Sequence, residues 1–286
     1  CQIRSLACLM TAAMRLTGTT QNLCVIRLWS SHMFDTQAIK ENFGRSARQY
    51  DENAQLQRVV RQHALKLALQ YWPEKGTILD AGCGTGALAS ELSGHQLYGF
   101  DLSGGMCAVA RDVIARCVNA DARYVPFVDG SFNGVFSSLM LQWVDDVQGA
   151  FAEMHRVLKS DGVAVVTTLL SGTLKELSTA FAAIDDQPHV SKFRELHEVL
   201  DEVKRAGFVL AVAKQDKIME YYPDTIALMR SLQLIGATNK HHARGKGLMT
   251  PAKFTKIENA YAQFATPQGL PVTWQVLTLV LRKSEI

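Results

Sequence analysis

Apolar positions recur along this chain with two different periods. Between residues 51 and 71, Leu56, Val59, Val60, Ala64, Leu67 and Tyr71 share one face of a 3.6-residue helix. Pro73 and Gly76 then end that helix. Beyond it, short apolar runs alternate with helical stretches. Residues 77–79, 96–100 and 135–139 read as strands. Val147, Ala150, Phe151, Met154, Val157 and Leu158 fall on one helix face. Asp161-Gly162 turns the chain into 163–168, which is apolar on both faces, as a buried parallel strand is. A helix near 195–206, a strand near 207–213 and a last strand at 273–281 continue the alternation. Residues 224–264 interrupt it with helical periodicity and read as a cap inserted before the last strand. Such alternation predicts an α/β fold whose mostly parallel sheet carries helices on both faces.

Composition narrows the function classes. The 286 residues are 48% hydrophobic, an ordinary globular balance that excludes a disordered chain or a disulfide scaffold. No apolar run approaches the roughly 18 residues needed to span a bilayer, so no membrane partner is expected. The formal charge of +3 comes from residues 1–34, which hold Arg4, Arg15 and Arg27 and no acid. The remaining body is neutral, against general nucleic-acid binding. Residues 1–33 show no sustained period and are expected to be an expression artefact or translated upstream sequence, with the natural start at Met33. A transit peptide is the rival reading, since the segment is Arg-bearing, Ser/Thr-rich and acid-free. Cys83, Cys107 and Cys117 show neither Cys-x-x-Cys nor metal spacing, which suits a reduced cytoplasm. The eight histidines form no ligand set, so no metal is expected, and no His–acid pair stands out.

The strongest chemical signal follows the first strand. In Asp80-Ala81-Gly82-Cys83-Gly84-Thr85-Gly86, a strand runs into a loop expected to open a helix. The Gly82, Gly84, Gly86 spacing is Gly-x-Gly-x-Gly, not the Gly-x-Gly-x-x-Gly of dinucleotide binders. Asp80 would repel a pyrophosphate and suits an amino-acid ammonium group. Asp101, ending the second strand with Leu102 after it, can accept from two ribose hydroxyls. Its alternative is a helix N-cap, a role Ser103 could also fill. Asp121, expected to end the third strand with Ala122 beside it, could accept from an adenine amino group or simply occupy a surface turn.

From residue 77 to 168 these features resemble the class I S-adenosylmethionine-dependent methyltransferases. The resemblance implies a seven-stranded Rossmann-like sheet with its last strand antiparallel and S-adenosyl-L-methionine held over the strand ends. A closer resemblance runs through the body. Gln37-Ala38-Ile39, Phe43-Gly44-Arg45, Ala47, Tyr50 and Leu56-Gln57 are similar to the start of the malonyl-acyl-carrier-protein O-methyltransferases of biotin synthesis, the BioC family. So are Leu141-Gln142-Trp143, Thr167-Thr168-Leu169, Gly172-Thr173-Leu174 with Glu176-Leu177, Met229-Arg230-Ser231-Leu232 and Ile235-Gly236-Ala237-Thr238. Asn133-Gly134 departs from the pattern, which carries an acid before the fourth strand, and leaves that local turn open.

The resemblance implies methyl transfer to the free carboxylate of malonyl-acyl carrier protein by a monomeric cytoplasmic enzyme. Its domain would run from 34 to 286, with a helical cap from about 35–72 and 219–270. Tyr50 would close the site over the cofactor; its alternative is a packing tyrosine. Arg230, among apolar residues of a cap helix, would hold the malonyl carboxylate bidentately; its alternative is a snorkelling surface arginine. Trp143 fits either the core or the substrate wall. Lys240, Arg244 and Lys246 lie in an acid-free interval and would meet the acidic carrier protein. Another small carboxylic acid or a quinone-like compound is the alternative acceptor, because the same core serves many acceptors.

Overall fold

The computed structural model describes residues 37, 40, 41, 43, 50–185, 189–234 and 250–284. The leader, Gly44-Arg45, Ala47, the Ile235–Thr238 motif and the basic trio Lys240, Arg244 and Lys246 lie outside the described residues.

A short helix α1 (Tyr50–Asn53) precedes α2 (Gln55–Ala68). The chain then alternates through β1 (Thr77–Ala81), β2 (Gln96–Asp101), α3 (Gly104–Ala110), β3 (Arg116–Asn119), β4 (Phe132–Ser138), α4 (Val147–Val157) and β5 (Leu158–Leu169). It continues with α5 (Lys175–Ala182), α6 (Leu196–Arg205), β6 (Phe208–Tyr222), α7 (Thr225–Leu234), α8 (Pro251–Ala262) and β7 (Leu270–Lys283). One seven-stranded sheet results, in the order β3-β2-β1-β4-β5-β7-β6. β7 runs antiparallel to β5 and β6, while the pairs among β1 to β5 are parallel. The α/β class and the mostly parallel sheet are as the sequence predicts, and the antiparallel last strand is as the resemblance implies.

The pleat explains why β1 and β5 carry apolar residues at successive positions. Ile78, Val163 and Val165 pack under α2 with Ala64, Leu65, Ala68 and Trp72. Leu79, Ala164 and Val166 point the other way, into a core with Phe151, Met154 and Val157 of α4. A third cluster lies at the carboxyl end of the parallel strands. It joins Leu139, Leu169, Leu174, Leu177 and Phe181 to Leu228 and Leu232 of α7, Ile257 and Tyr261 of α8, and Trp274 of β7.

Several local expectations need correction. The buried face of α2 is Leu56, Val60, Ala64, Leu65 and Ala68, while Val59 and Leu67 are only half-buried. The helix is rotated because its second half lies on the sheet. β6 extends to Tyr222, because pairing with β7 carries it well past residue 213. The glycine loop opens only a 3-10 turn, Ala87–Ser90, and no α-helix. Asn133-Gly134 is not a turn but part of β4. Asn133 Oδ1 there accepts from the Thr77 N–H at 3.1 Å and from Lys159 Nζ at 3.0 Å. A Cβ on Gly134 would fall 2.4 Å from Trp72 Nε1, whose N–H donates to the Val163 carbonyl. Glycine at 134 is what lets the indole approach the strand this closely.

Candidate functional site

Chain reversal at the carboxyl ends of β1, β2 and β4 leaves a cavity of about 290 Å³. It has two parts. The first is built by the glycine loop and the β2 and β3 ends: Gly82, Gly84, Asp101, Leu102, Asp121 and Ala122. The second is apolar, with Leu169, Leu174, Leu177, Phe181, Leu232 and Trp274 on its wall. Tyr50, Gln57, Gln142 and Trp143 also line the cavity.

Gly82, Gly84 and Gly86 all have positive φ, at 75°, 54° and 86°. This left-handed region is open to glycine and strained for other residues. Their surroundings differ. A Cβ on Gly82 would meet Met140 Cγ at 2.4 Å, whereas one on Gly84 would meet nothing within 4 Å. Gly84 therefore keeps the backbone bare beside open space, as close approach by a ligand requires. Gly86 is off the cavity wall and lets the end of α3 and the turn after it pack closely: its Cβ would fall 3.3 Å from Ala110 Cα and 2.7 Å from Val113 Cγ2.

Asp101 sits where β2 ends. Its Oδ2 accepts from the Gly84 N–H at 3.0 Å and its Oδ1 from the Ser103 N–H at 2.8 Å. Burial raises its pKa, and those two backbone donors partly oppose the rise. Ser103, not Asp101, caps α3, accepting from the Met106 N–H. The carboxylate is thus fixed in direction, with lone pairs left toward the cavity. Asp121 lies beyond β3, which ends at Asn119. Arg123 grips both its oxygens, at 2.9 and 2.6 Å. Burial raises the Asp121 pKa, but the Arg123 hydrogen bonds outweigh it and hold the carboxyl below its usual value.

Asp80 is buried and is not on the cavity wall. Burial pushes its pKa up to about 7, against the pull of Arg61 and with a further push from Asp101. The ammonium role anticipated for Asp80 would therefore act from behind the wall and not from its surface. Among the described residues, the Oε1 atoms of Gln57 and Gln142 are buried without a hydrogen-bond partner. Two orphaned acceptors on residues of one cavity wall fit a ligand carrying N–H or O–H donors.

Tyr50 lies over this end, and burial followed by the nearby Asp101 and Asp51 carboxylates raises its hydroxyl pKa. The Thr85 hydroxyl, in the glycine loop, bonds the Asp51 carboxylate at 2.9 Å and so ties α1 to the loop. Phe43 bridges Tyr50 and Trp143 by edge-to-face contacts with centroids 6.1 and 5.7 Å apart. Trp143 thus stands in the wall.

The segment after β5 shapes the apolar part. Buried Glu176 accepts from the Thr273 N–H at 3.1 Å and its hydroxyl at 2.5 Å, and Thr173 Oγ1 accepts from the Gln275 N–H at 3.0 Å. These clips to β7 hold Leu174 at φ 55° with its side chain on the cavity. Leu139, after β4, has φ 52° and lines the same space. Two leucines in the left-handed region on one wall are backbone strain concentrated at a site.

The structure does not bring Arg230 to the cavity. It is exposed on α7, whose Met229 and Leu232 face the wall. The expected absence of a His–acid pair also needs correction. His189 lines the apolar part, and its Nε2 lies 2.6 Å from Asp185 Oδ1. The four-residue spacing of Asp185 and His189 was the available signal, and only folding shows that it matters.

Residues 79–166 match the family described as methyltransferase domain. A malonyl-[acyl-carrier protein] O-methyltransferase from Laribacter hongkongensis is 37% identical over 262 residues, covering 85% of this chain and 88% of that protein. The corresponding protein of Gallionella capsiferriformans is 32% identical, covering 86% of this chain and 90% of its own length. This chain belongs to the malonyl-[acyl-carrier protein] O-methyltransferase family. Within that family, the biotin biosynthesis bifunctional protein BioHC of Teredinibacter turnerae is 34% identical, and the chain spans 46% of its length. The YcgJ protein of Bacillus subtilis shares the fold, with a TM-score of 0.56 at 19% identity, over 79% of this chain and 100% of that one. The methyltransferase fold thus places the family's glycine loop and the apolar compartment in one continuous space.

Proposed function

We propose that this protein transfers the methyl group of S-adenosylmethionine to the free carboxylate of a malonyl group carried on acyl carrier protein, the step that primes pimeloyl assembly in biotin synthesis. The observation that carries the reading is the single cavity that joins the Asp101–glycine-loop end to an apolar compartment in a chain of this family.

The residues present fit S-adenosylmethionine. Asp101 would accept from the ribose hydroxyls, with Gly82 and Gly84 giving close backbone approach and Leu102 beside them. Asp121 and Ala122 would meet the adenine. Gln57 and Gln142 would accept from the ammonium group, and buried Asp80 would add negative potential beneath the loop once it is ionised, above about pH 7. When bound, S-adenosylmethionine supplies an electrophilic methyl group on a sulfonium.

The chain's own task is positioning and water exclusion. A carboxylate is already ionised near neutrality, since its unperturbed pKa is about 4, so no general base is required. Tyr50, Phe43 and Trp143 pack edge to face along the cavity wall. The leucine, phenylalanine and tryptophan wall keeps the acceptor side dry, which favours an anion and a cation combining into neutral products.

As proposed, the enzyme works as a monomer in the cytoplasm, where the buried thiols of Cys83, Cys107 and Cys117 stay reduced. Among the described residues no helix is long and apolar enough to cross a membrane. The test is mass spectrometry of malonyl-carrier protein and malonyl-CoA after incubation with S-adenosylmethionine. A gain of one methyl group on the malonyl moiety is expected; its absence on both would overturn the assignment.

A further inference from the structure

We infer that His189, not Arg230, binds the acceptor's carboxylate, a proposal that rests on the carboxyl-methylating reading above. An anionic acceptor entering a compartment walled by Leu174, Leu177, Leu232 and Trp274 loses its hydration and needs a donor there. Among the described residues, two that can carry positive charge line the cavity, Arg123 and His189. Arg123 is on the glycine-loop side and is committed to Asp121 through two hydrogen bonds. His189 is on the apolar side, in direct contact with its wall.

The ring is held by two contacts. It stacks on Phe181, with centroids 4.5 Å apart and planes 11° from parallel. Its Nε2 is 2.6 Å from Asp185 Oδ1, and Asp185 Oδ2 lies 3.6 Å from Lys253 Nζ on α8. The stack fixes the ring plane, and the carboxylate fixes the rotation within that plane. Nε2 is thereby used, which leaves Nδ1 for a ligand. In the imidazolium form the ring donates from both nitrogens, Nε2 to Asp185 and Nδ1 to a carboxylate. Asp185 and Phe181 are positioning residues. The acceptor's carboxylate then meets a donor whose orientation is fixed before it arrives, as preorganisation requires. Arg230, exposed on α7, has none of these constraints.

The test separates carboxylate recognition from general damage, using the full chain. Malonyl-CoA binding is measured by calorimetry with S-adenosylhomocysteine present, and acetyl-CoA, which lacks the carboxylate, is measured beside it. His189→Phe should weaken malonyl-CoA at least tenfold and leave acetyl-CoA and S-adenosylmethionine within twofold. His189→Gln, which keeps an amide donor, should fall between parent and His189→Phe. In kinetics on malonyl-carrier protein, KM should rise more than kcat falls, and Arg230→Ala should match the parent. Equal losses for malonyl-CoA and acetyl-CoA would show a purely structural role and overturn the inference. So would unchanged malonyl affinity in His189→Phe, or a carboxylate-specific loss in Arg230→Ala. A parent that binds malonyl-CoA but methylates neither substrate overturns the functional reading instead, while the binding comparison still decides the role of His189.

Discussion

Asp80→Asn isolates one electrostatic consequence of the fold. The Asp80 carboxyl is buried at the end of β1, and its pKa rises from the ordinary 3.8 to about 7, chiefly by loss of solvent. Between those values the folded chain binds a proton that the unfolded chain has released. Stability therefore falls as pH rises through this window. Below it both states are protonated and the contribution is complete; above about 7 both are ionised and it is lost. The slope is at most about 1.4 kcal/mol per pH unit, so the parent should lose about 3 kcal/mol from this group between pH 5 and pH 8. Asparagine has nearly the same shape and no charge at any of these pH values. The stability of the variant relative to the parent should thus grow by about 3 kcal/mol over the same range. Urea unfolding of both proteins at pH 5, 6, 7 and 8, without cofactor, measures that difference. A difference that stays flat across the series would mean that Asp80 is ionised in the fold at pH 5, and the account of its burial would fail.

Other consequences are measurable in the same preparations. Asp101→Ala removes an acceptor held by the Gly84 and Ser103 N–H groups. At about 1.5–3 kcal/mol per charge-assisted hydrogen bond, S-adenosylmethionine affinity should fall at least tenfold by calorimetry. Gly82→Ala and Gly84→Ala should differ: the first forces a 2.4 Å contact with Met140 and should lower Tm, while the second has free space and should spare Tm more than cofactor affinity. Reversing Lys240, Arg244 and Lys246 to Glu should slow association with malonyl-carrier protein but spare malonyl-CoA, and added salt should reproduce the defect; unchanged salt dependence would place the docking surface elsewhere.

The sequence by itself determined the sheet and the glycine-loop end of the cavity. Strand runs such as 163–168 are apolar at every position because both faces are covered, and that pattern is local. The Gly-x-Gly-x-Gly loop and the acid at the end of the next strand are also local, since a strand end and its following turn fix their geometry within a few residues. Tertiary structure decided what depends on residues far apart in the chain. Asp80 and Asp101 are both acids at strand ends, yet only Asp101 reaches the cavity wall. Gly134 reads as a turn until Trp72 is seen lying against it. Arg230 is the conspicuous cation of an apolar helix, but helix rotation is set by packing against α1 and β6, and that packing turns Leu228 and Leu232 into the buried cluster and Arg230 out to solvent. His189 offered only its four-residue spacing from Asp185. Its place follows from Phe181, Asp185 and Lys253, which meet only because α5 and α8 pack together over the end of the sheet. Periodicity reports which residues are buried, but the neighbours that give a buried or half-buried polar group its chemistry are chosen by the three-dimensional packing.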